Sequence, residues 1–139
     1  MPNADWRLPI VSNRSNPPRY PTVNQADLKQ RTKDFALRIM KLVDALPTTR
    51  SGNAIGNQLV RSGTSVGANY RATCRARSKA EFIAKIGVVE EEADECGFWL
   101  ELITDGRLLP AAKTSALLRE ASELTAIMAA SRISASRRK

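Results

Sequence analysis

Apolar residues recur three and four positions apart in four successive segments of the chain, and no other feature limits the possible folds as strongly. This spacing places an apolar stripe along one face of an α-helix, so each segment predicts an amphipathic helix. The first helix is expected from a cap at Asn24 to Pro47, and the second from a cap at Thr48 or Thr49 to about Ala76. The two stripes consist of Leu28, Thr32, Phe35, Ile39, Leu42 and Leu46, and of Ile55, Leu59, Ser62, Val66, Tyr70 (or Asn69) and Thr73.

The third and fourth segments have their own start and stop signals. Ser78 and Glu81 have the spacing of a capping box, Gly106 ends the third helix, and Pro110 suits the first turn of the fourth. Their stripes are Phe82, Ile86, Val89, Ala93, Cys96, Leu100 and Ile103, and Thr114, Leu117, Ala121, Leu124, Met128 and Ser131. Four helices with short connections and no strand pattern predict an all-α fold, an antiparallel up-down-up-down four-helix bundle over residues 25–131.

Residues 59–71 of the second helix are mostly small and include no acidic residue. Gly63 and Gly67 would each cost about 1 kcal/mol relative to alanine in a helix interior, so packing or function has to outweigh that cost. We interpret the small residues as places where another helix approaches closely. Arg61, Thr64, Ala68, Arg71 and Arg75 fall on the opposite, outward face.

The two ends of the chain differ from the bundle. Residues 1–24 contain five of the seven prolines, with Trp6 and Tyr20, and predict an extended or disordered N-terminal arm. Docking of this arm on a neighbouring surface and a mobile tail are both open from the sequence. Residues 132–139 predict a short, basic C-terminal tail with frayed structure.

The formal net charge of +8 and the pI near 10.1 favour an anionic partner, RNA or DNA. The charges are segregated: residues 47–77 carry five arginines and no acid, whereas residues 78–105 carry eight acids and two lysines. The candidate nucleic-acid-binding residues are Arg61, Arg71, Arg75, Arg77, Lys79, Arg137, Arg138 and Lys139. In the alternative interpretation, the arginines of the second helix pair with Glu91 and Glu95 of the third helix, in the same chain or in the next.

The third helix is apolar on a second side as well as along its stripe. A helix that is apolar on two sides must be covered on two sides, by a second layer of the domain or by another subunit. The candidate oligomer-interface residues are Val88, Glu91, Glu95, Phe98, Trp99 and Leu102. Contact between this side and the outer face of the next subunit's second helix would be heterologous, and such contacts close into rings or extend into filaments.

Several classes of function are disfavoured by composition. The chain has no histidine, and its two cysteines, Cys74 and Cys96, lack the spacing of a zinc site, so neither catalytic residues nor a metal or other cofactor are predicted. The acidic run Glu91, Glu92, Asp94 and Glu95 is expected to be solvated or paired rather than to bind metal. No membrane span or signal peptide is predicted, which favours a cytoplasmic protein.

Three blocks of residues resemble one known family. The run Gln58-Leu59-Val60-Arg61-Ser62-Gly63-Thr64-Ser65-Val66-Gly67-Ala68-Asn69 is similar to the signature of the four helix bundle proteins, which were first noted in intervening sequences of bacterial large-subunit ribosomal RNA genes. The run Ser78-Lys79-Ala80-Glu81-Phe82-Ile83-Ala84-Lys85 resembles the second block of the family, and Glu91 to Cys96 with Phe98-Trp99-Leu100 resembles the third. The resemblance implies a homo-oligomeric bundle, a pentameric ring, and no enzymatic activity.

Two functions are compatible with these observations. In the first, the protein is a non-enzymatic, RNA-associated accessory factor, in line with its architectural similarity to the accessory protein of diversity-generating retroelements, a basic pentameric bundle that works with a reverse transcriptase and RNA. In the second, it is a structural or protein-interaction oligomer whose segregated charges serve ring assembly.

Overall fold

A computed structural model describes residues 24–138 and contains four α-helices. They are α1 (Gln25–Asp44), α2 (Arg50–Thr73), α3 (Lys79–Asp105) and α4 (Ala111–Arg137), and no strand occurs within these residues. The predicted all-α four-helix bundle is confirmed. The predicted N-terminal arm falls, apart from Asn24, outside the described residues, as does Lys139.

Three of the helices begin at a side-chain cap. The backbone N–H of Asp27 donates to Asn24 Oδ1 at 2.8 Å, that of Gly52 to Thr49 Oγ1 at 3.1 Å, and that of Glu81 to Ser78 Oγ at 3.0 Å. Of the two caps that the sequence left open for α2, the structure therefore selects Thr49. The carboxylate of Glu81 contacts Lys85 Nζ at 3.4 Å, so of the predicted capping box only the bond that Ser78 Oγ accepts is formed.

Each helix packs on the next one in the chain, and α4 returns to the side of α1. Within residues 24–138, no Cα atom of α1 lies within 8 Å of one of α3, and none of α2 lies within 8 Å of one of α4, so these pairs are diagonal in the bundle. The gap between α1 and α4 is bridged by Arg31, whose guanidinium contacts Glu120 at 2.6 Å and Glu123 at 2.5 Å. The stripe predicted for α3 is buried along its whole length, and so is the stripe predicted for α4.

The small residues of α2 face α1 at close range. A β-carbon added to Gly63 would lie 2.8 Å from Ile39 Cγ2, and one added to Gly67 would lie 3.4 Å from the Thr32 carbonyl oxygen. Both distances show that the two helices approach through the glycines, as the composition of this stretch predicts.

Gly106 is the C-cap of α3, where the sequence predicts the end of that helix, whereas α4 ends later than predicted. The left-handed residue after α3 is Arg107, with φ 56°, while Gly106 lies at φ −79° as the C-cap. A β-carbon on Gly106 would meet Leu102 O at 2.7 Å, so the absence of a side chain is what this position requires. Helix α4 continues to Arg137, where fraying is predicted from residue 132, because Ala135 is buried in the core. None of the four helices is long and apolar enough to cross a bilayer.

Candidate nucleic-acid interface

One end of the bundle gathers cations that are far apart in the sequence. Because the helices alternate in direction, the end of α2, the start of α3 and the end of α4 lie together. Arg71 lies in the last turn of α2, Arg75 and Arg77 lie in the turn that follows, and Lys79 and Arg137 lie at the ends of α3 and α4. We refer to Arg71, Arg75, Arg77, Lys79, Arg137 and Arg138 as the basic end.

A hydrogen bond ties the two parts of the basic end together. Lys79 Nζ donates to the carbonyl oxygen of Arg138, so the start of α3 holds the end of α4. This bond uses one of the three N–H donors of the Lys79 ammonium and leaves its charge uncancelled. It also places Arg137 and Arg138 beside the α2–α3 turn, which their sequence separation does not suggest.

The arginines at the end of α2 and in the α2–α3 turn are exposed and unpaired within the described residues. Arg71, Arg75 and Arg77 are exposed, and their side chains form no hydrogen bond or ion pair with any part of the chain between residues 24 and 138. Glu81, two residues after Lys79 at the start of α3, pairs with Lys85. The basic end therefore carries excess positive charge in a solvated position.

Arg61 does not belong to the basic end. It lies ten residues before Arg71, which is about 15 Å along a helix. Its guanidinium contacts Glu92 at 3.4 Å and also binds Glu95, both on α3 of the same chain. The arginines that the sequence places on the outward face of α2 therefore fall into two groups. Arg61 links α2 to α3, whereas Arg71 and Arg75 remain unpaired within the described residues.

Four of the six residues predicted for an oligomer interface are exposed on the outer side of α3, and three of these four are large and apolar. Phe98 is 52% exposed, Val88 41% and Leu102 37%, and Glu91 also faces solvent. The other two differ, because Glu95 is held by Arg61 and Trp99 packs against the core. The rings of Trp99 and Phe98 pack edge to face with their centroids 5.1 Å apart, so Trp99 fixes the position of the exposed Phe98 ring.

The two thiols have packing roles. Burial raises the pKa of the Cys96 thiol to about 12, although it lies 3.4 Å from Ser62 Oγ, with which it shares a hydrogen bond. At neutral pH the group is a protonated, buried side chain rather than a nucleophile. Cys74 is half-buried and forms no disulfide. Between residues 24 and 138, no three Cys, Asp or Glu residues are grouped closely enough to hold a metal ion.

Two apolar residues on α1 escaped the sequence analysis. Leu37 and Met40 lie opposite the buried stripe of α1 and are among the most exposed large apolar residues of the described chain. Their spacing of three positions, which places both on the charged side of the helix, is the signal in the sequence that indicates an exposed apolar patch.

Comparison with known proteins relates this geometry to one family. The family model described as 23S rRNA-intervening sequence protein matches residues 24–130, which include α1, α2, α3 and most of α4. A crystal structure from Bacteroides thetaiotaomicron, described as a protein with unknown function from the S23 ribosomal protein family, is similar with a TM-score of 0.68 and 31% identity. The match covers 73% of this chain and 94% of that chain. No match is found among the curated proteins.

Proposed function

The chain belongs to the 23S rRNA-intervening sequence protein family, and we propose that it is a non-enzymatic, RNA-associated accessory protein of the cytoplasm that works as a homo-oligomer. The observation that supports RNA association is the basic end, where exposed arginines from one turn meet the cationic end of α4. The pentameric ring is part of the proposal and rests on the family resemblance.

The chemistry of the basic end favours phosphate over bases. Guanidinium groups donate pairs of hydrogen bonds that match phosphate oxygens. The aromatic side chains near this end within the described residues, Tyr70 and Phe82, are buried and offer no stacking surface. Proteins that select single-stranded RNA stack bases on exposed aromatic rings, so the proposed ligand is the phosphate backbone of structured RNA. Such contacts carry little sequence specificity and depend strongly on salt.

A salt titration of RNA binding tests this function. We expect the wild-type protein to bind a structured RNA with an affinity that falls steeply as salt rises, because each phosphate contact releases a counterion. Arg71→Glu with Arg75→Glu should weaken binding at every salt concentration, and should flatten the slope of log affinity against log salt by about 0.7 to 0.9 for each arginine–phosphate pair that the substitutions remove. Fluorescence anisotropy of a labelled RNA hairpin measures both quantities.

The matched control changes the same number of charges at the other end of the bundle. Arg50 begins α2 and Lys113 lies in the first turn of α4, and both are exposed. Arg50→Glu with Lys113→Glu has the same net charge as the test variant and should keep most of the affinity and the salt slope. If both variants lose binding equally, the total charge and not the basic end attracts RNA.

A second candidate function is a structural oligomer without an RNA ligand. This function is favoured by the exposed apolar residues of α3, Val88, Phe98 and Leu102. Contact with another protein surface would remove these side chains from water. An intact wild-type oligomer that shows no RNA binding even at low salt would select this function over the first.

A further inference from the structure

The outer side of α3 forms a second regular seam, separate from the one that faces the core. Its positions follow steps of four, three, four, three, four and three, as in a coiled coil. They are Ala84, Val88, Glu91, Glu95, Phe98, Leu102 and Asp105. The core seam of α3 is buried by α2 and α4, and Glu95 of the second seam binds Arg61 of α2. The exposed apolar positions of the second seam, Val88, Phe98 and Leu102, can be covered only by a partner from outside the bundle.

Helix α1 carries the matching feature on the opposite side of the molecule. Leu37 is 53% exposed and Met40 46%, and both point away from the buried stripe of α1. Because α1 and α3 are diagonal in the bundle, their outer faces point in opposite directions. The only other strongly exposed large apolar side chain among the described residues is Ile133 on α4, and α2 has none.

The charges beside the two seams are complementary. Lys33 and Lys41 lie one turn before and one turn after Leu37, are exposed, and pair with nothing between residues 24 and 138. On α3, Glu91 is exposed and equally unpaired within the described chain. Exposed Asp44 also lies on this face of α1, so the attraction comes from Lys33 and Lys41 toward the acidic seam of α3. The acids of that seam, which include Glu91 and Asp105, oppose contact of the α3 face with itself.

We propose that the outer face of α1 in one copy binds the outer face of α3 in the next copy. The contact inserts Leu37 and Met40 between Val88, Phe98 and Leu102 and brings Lys33 or Lys41 near Glu91. The segregated charges of the sequence suggested a different contact, between α3 and the outer face of α2 in the next copy. The α1–α3 contact is preferred because the outer face of α2 exposes no large apolar side chain and Arg61 of α2 already binds α3 of its own chain. The contact is heterologous, since each copy uses two different faces, and heterologous contacts close into rings or extend into filaments.

This inference rests on the homo-oligomer of the proposed function and adds the surfaces that form it. It does not depend on RNA, because neither face includes a residue of the basic end. In a ring whose axis follows the bundle, α1 and α3 of neighbouring copies run parallel, since both helices run in the same direction within one copy.

Two double variants and their mixture test the contact. Leu37→Gln with Met40→Gln removes the α1 patch, and Phe98→Gln with Leu102→Gln removes the α3 patch, while glutamine keeps the helix propensity. By light scattering at micromolar concentration, we expect the wild type at a multiple of 15.3 kDa and each double variant as a monomer. An equimolar mixture should form a one-to-one heterodimer and nothing larger, because only one intact α1 face and one intact α3 face remain.

Ile133→Gln is the control, since Ile133 is exposed but lies outside both faces, and it should keep the wild-type mass. Circular dichroism checks that every variant keeps its helix content. A double variant that retains the wild-type mass, or two monomeric variants that do not combine, would overturn the α1–α3 contact. A monomeric wild type would overturn it together with the oligomer, whereas RNA association is judged separately from the salt titration.

Discussion

Replacing Gly63 by alanine tests whether the small residues of α2 set its distance from α1. A β-carbon on Gly63 would lie 2.8 Å from Ile39 Cγ2, 3.0 Å from Cγ1 and 3.1 Å from Cβ. These atoms form the branch next to the Ile39 backbone, so rotation of the side chain cannot move all of them away. Ile39 is also fully buried, which leaves it no space to retreat into. Relief of the clash requires α1 and α2 to move apart.

Two opposing effects set the magnitude. Alanine gains about 1 kcal/mol over glycine in a helix interior, and overpacking of a core costs about 1–3 kcal/mol. We therefore expect Gly63→Ala to lower the free energy of unfolding by up to about 2 kcal/mol. At Gly97, in the interior of α3, an added β-carbon would meet no atom within 4 Å, so Gly97→Ala should raise stability by about 1 kcal/mol. The difference between the two variants isolates the overpacking cost.

Urea denaturation followed by circular dichroism measures this difference. The protein concentration is kept equal, because the apparent stability of a protein that forms oligomers depends on its concentration. Ile39→Ala costs about 2–5 kcal/mol by itself, but it removes both crowding γ-carbons. In that background Gly63→Ala should become stabilising, as at Gly97. Equal stabilisation by the two alanines in the wild-type background would refute the close approach of α1 and α2 at Gly63.

Two further variants test the cap of α2 and the bridge between α1 and α4. Thr49→Ala should lower the free energy of unfolding by about 1 kcal/mol in urea denaturation, whereas Thr48→Ala, at an exposed position, should leave it unchanged. The hydrogen bond from Arg31 lowers the pKa of Glu120 below its usual value of 4.5, so the stability that Glu120 contributes is present above that pH and is lost as the pH falls through the folded-state pKa. Arg31→Met should be less stable than the wild type at neutral pH, and the gap between their unfolding free energies should narrow below about pH 4.5; a gap that is independent of pH would contradict this role.

The helices and their buried faces could be predicted because their signals are local. The stripe from Phe82 to Ile103 follows from spacing alone, and Ser78 caps α3 because a serine hydroxyl can reach the N–H three residues later. The role of the glycines was accessible for a similar reason. A glycine that is retained in a helix interior against its propensity indicates close contact, and Gly63 makes that contact with Ile39.

The arrangement of the charges was less accessible, because an ion pair depends on helix rotation and on partners distant in sequence. The sequence left open whether the arginines of α2 bind an anionic partner or pair with Glu91 and Glu95. In the structure, Arg61 alone among the described arginines of α2 pairs with α3, through Glu92 and Glu95, and Glu91 stays exposed. Similarly, the bond between Lys79 and Arg138 spans 59 positions of the chain, and no local pattern indicates it. The continuation of α4 to Arg137 has the same origin, since tertiary contacts stabilise a turn that would fray in isolation.

The basic end and the two apolar faces occupy different parts of the molecule, and this separation connects the two proposals. The faces lie on the sides of α1 and α3, whereas the basic end lies where α2 and α4 terminate. A ring formed through the sides leaves every basic end exposed and, because all copies are related by rotation about the bundle direction, directs them to the same surface of the ring. In the proposed ring, neighbouring copies would present their arginines to one RNA at a fixed spacing, and each contact after the first would be intramolecular. If the protein assembles through α1 and α3 as proposed, phosphate binding would be strengthened without any additional residue in the basic end.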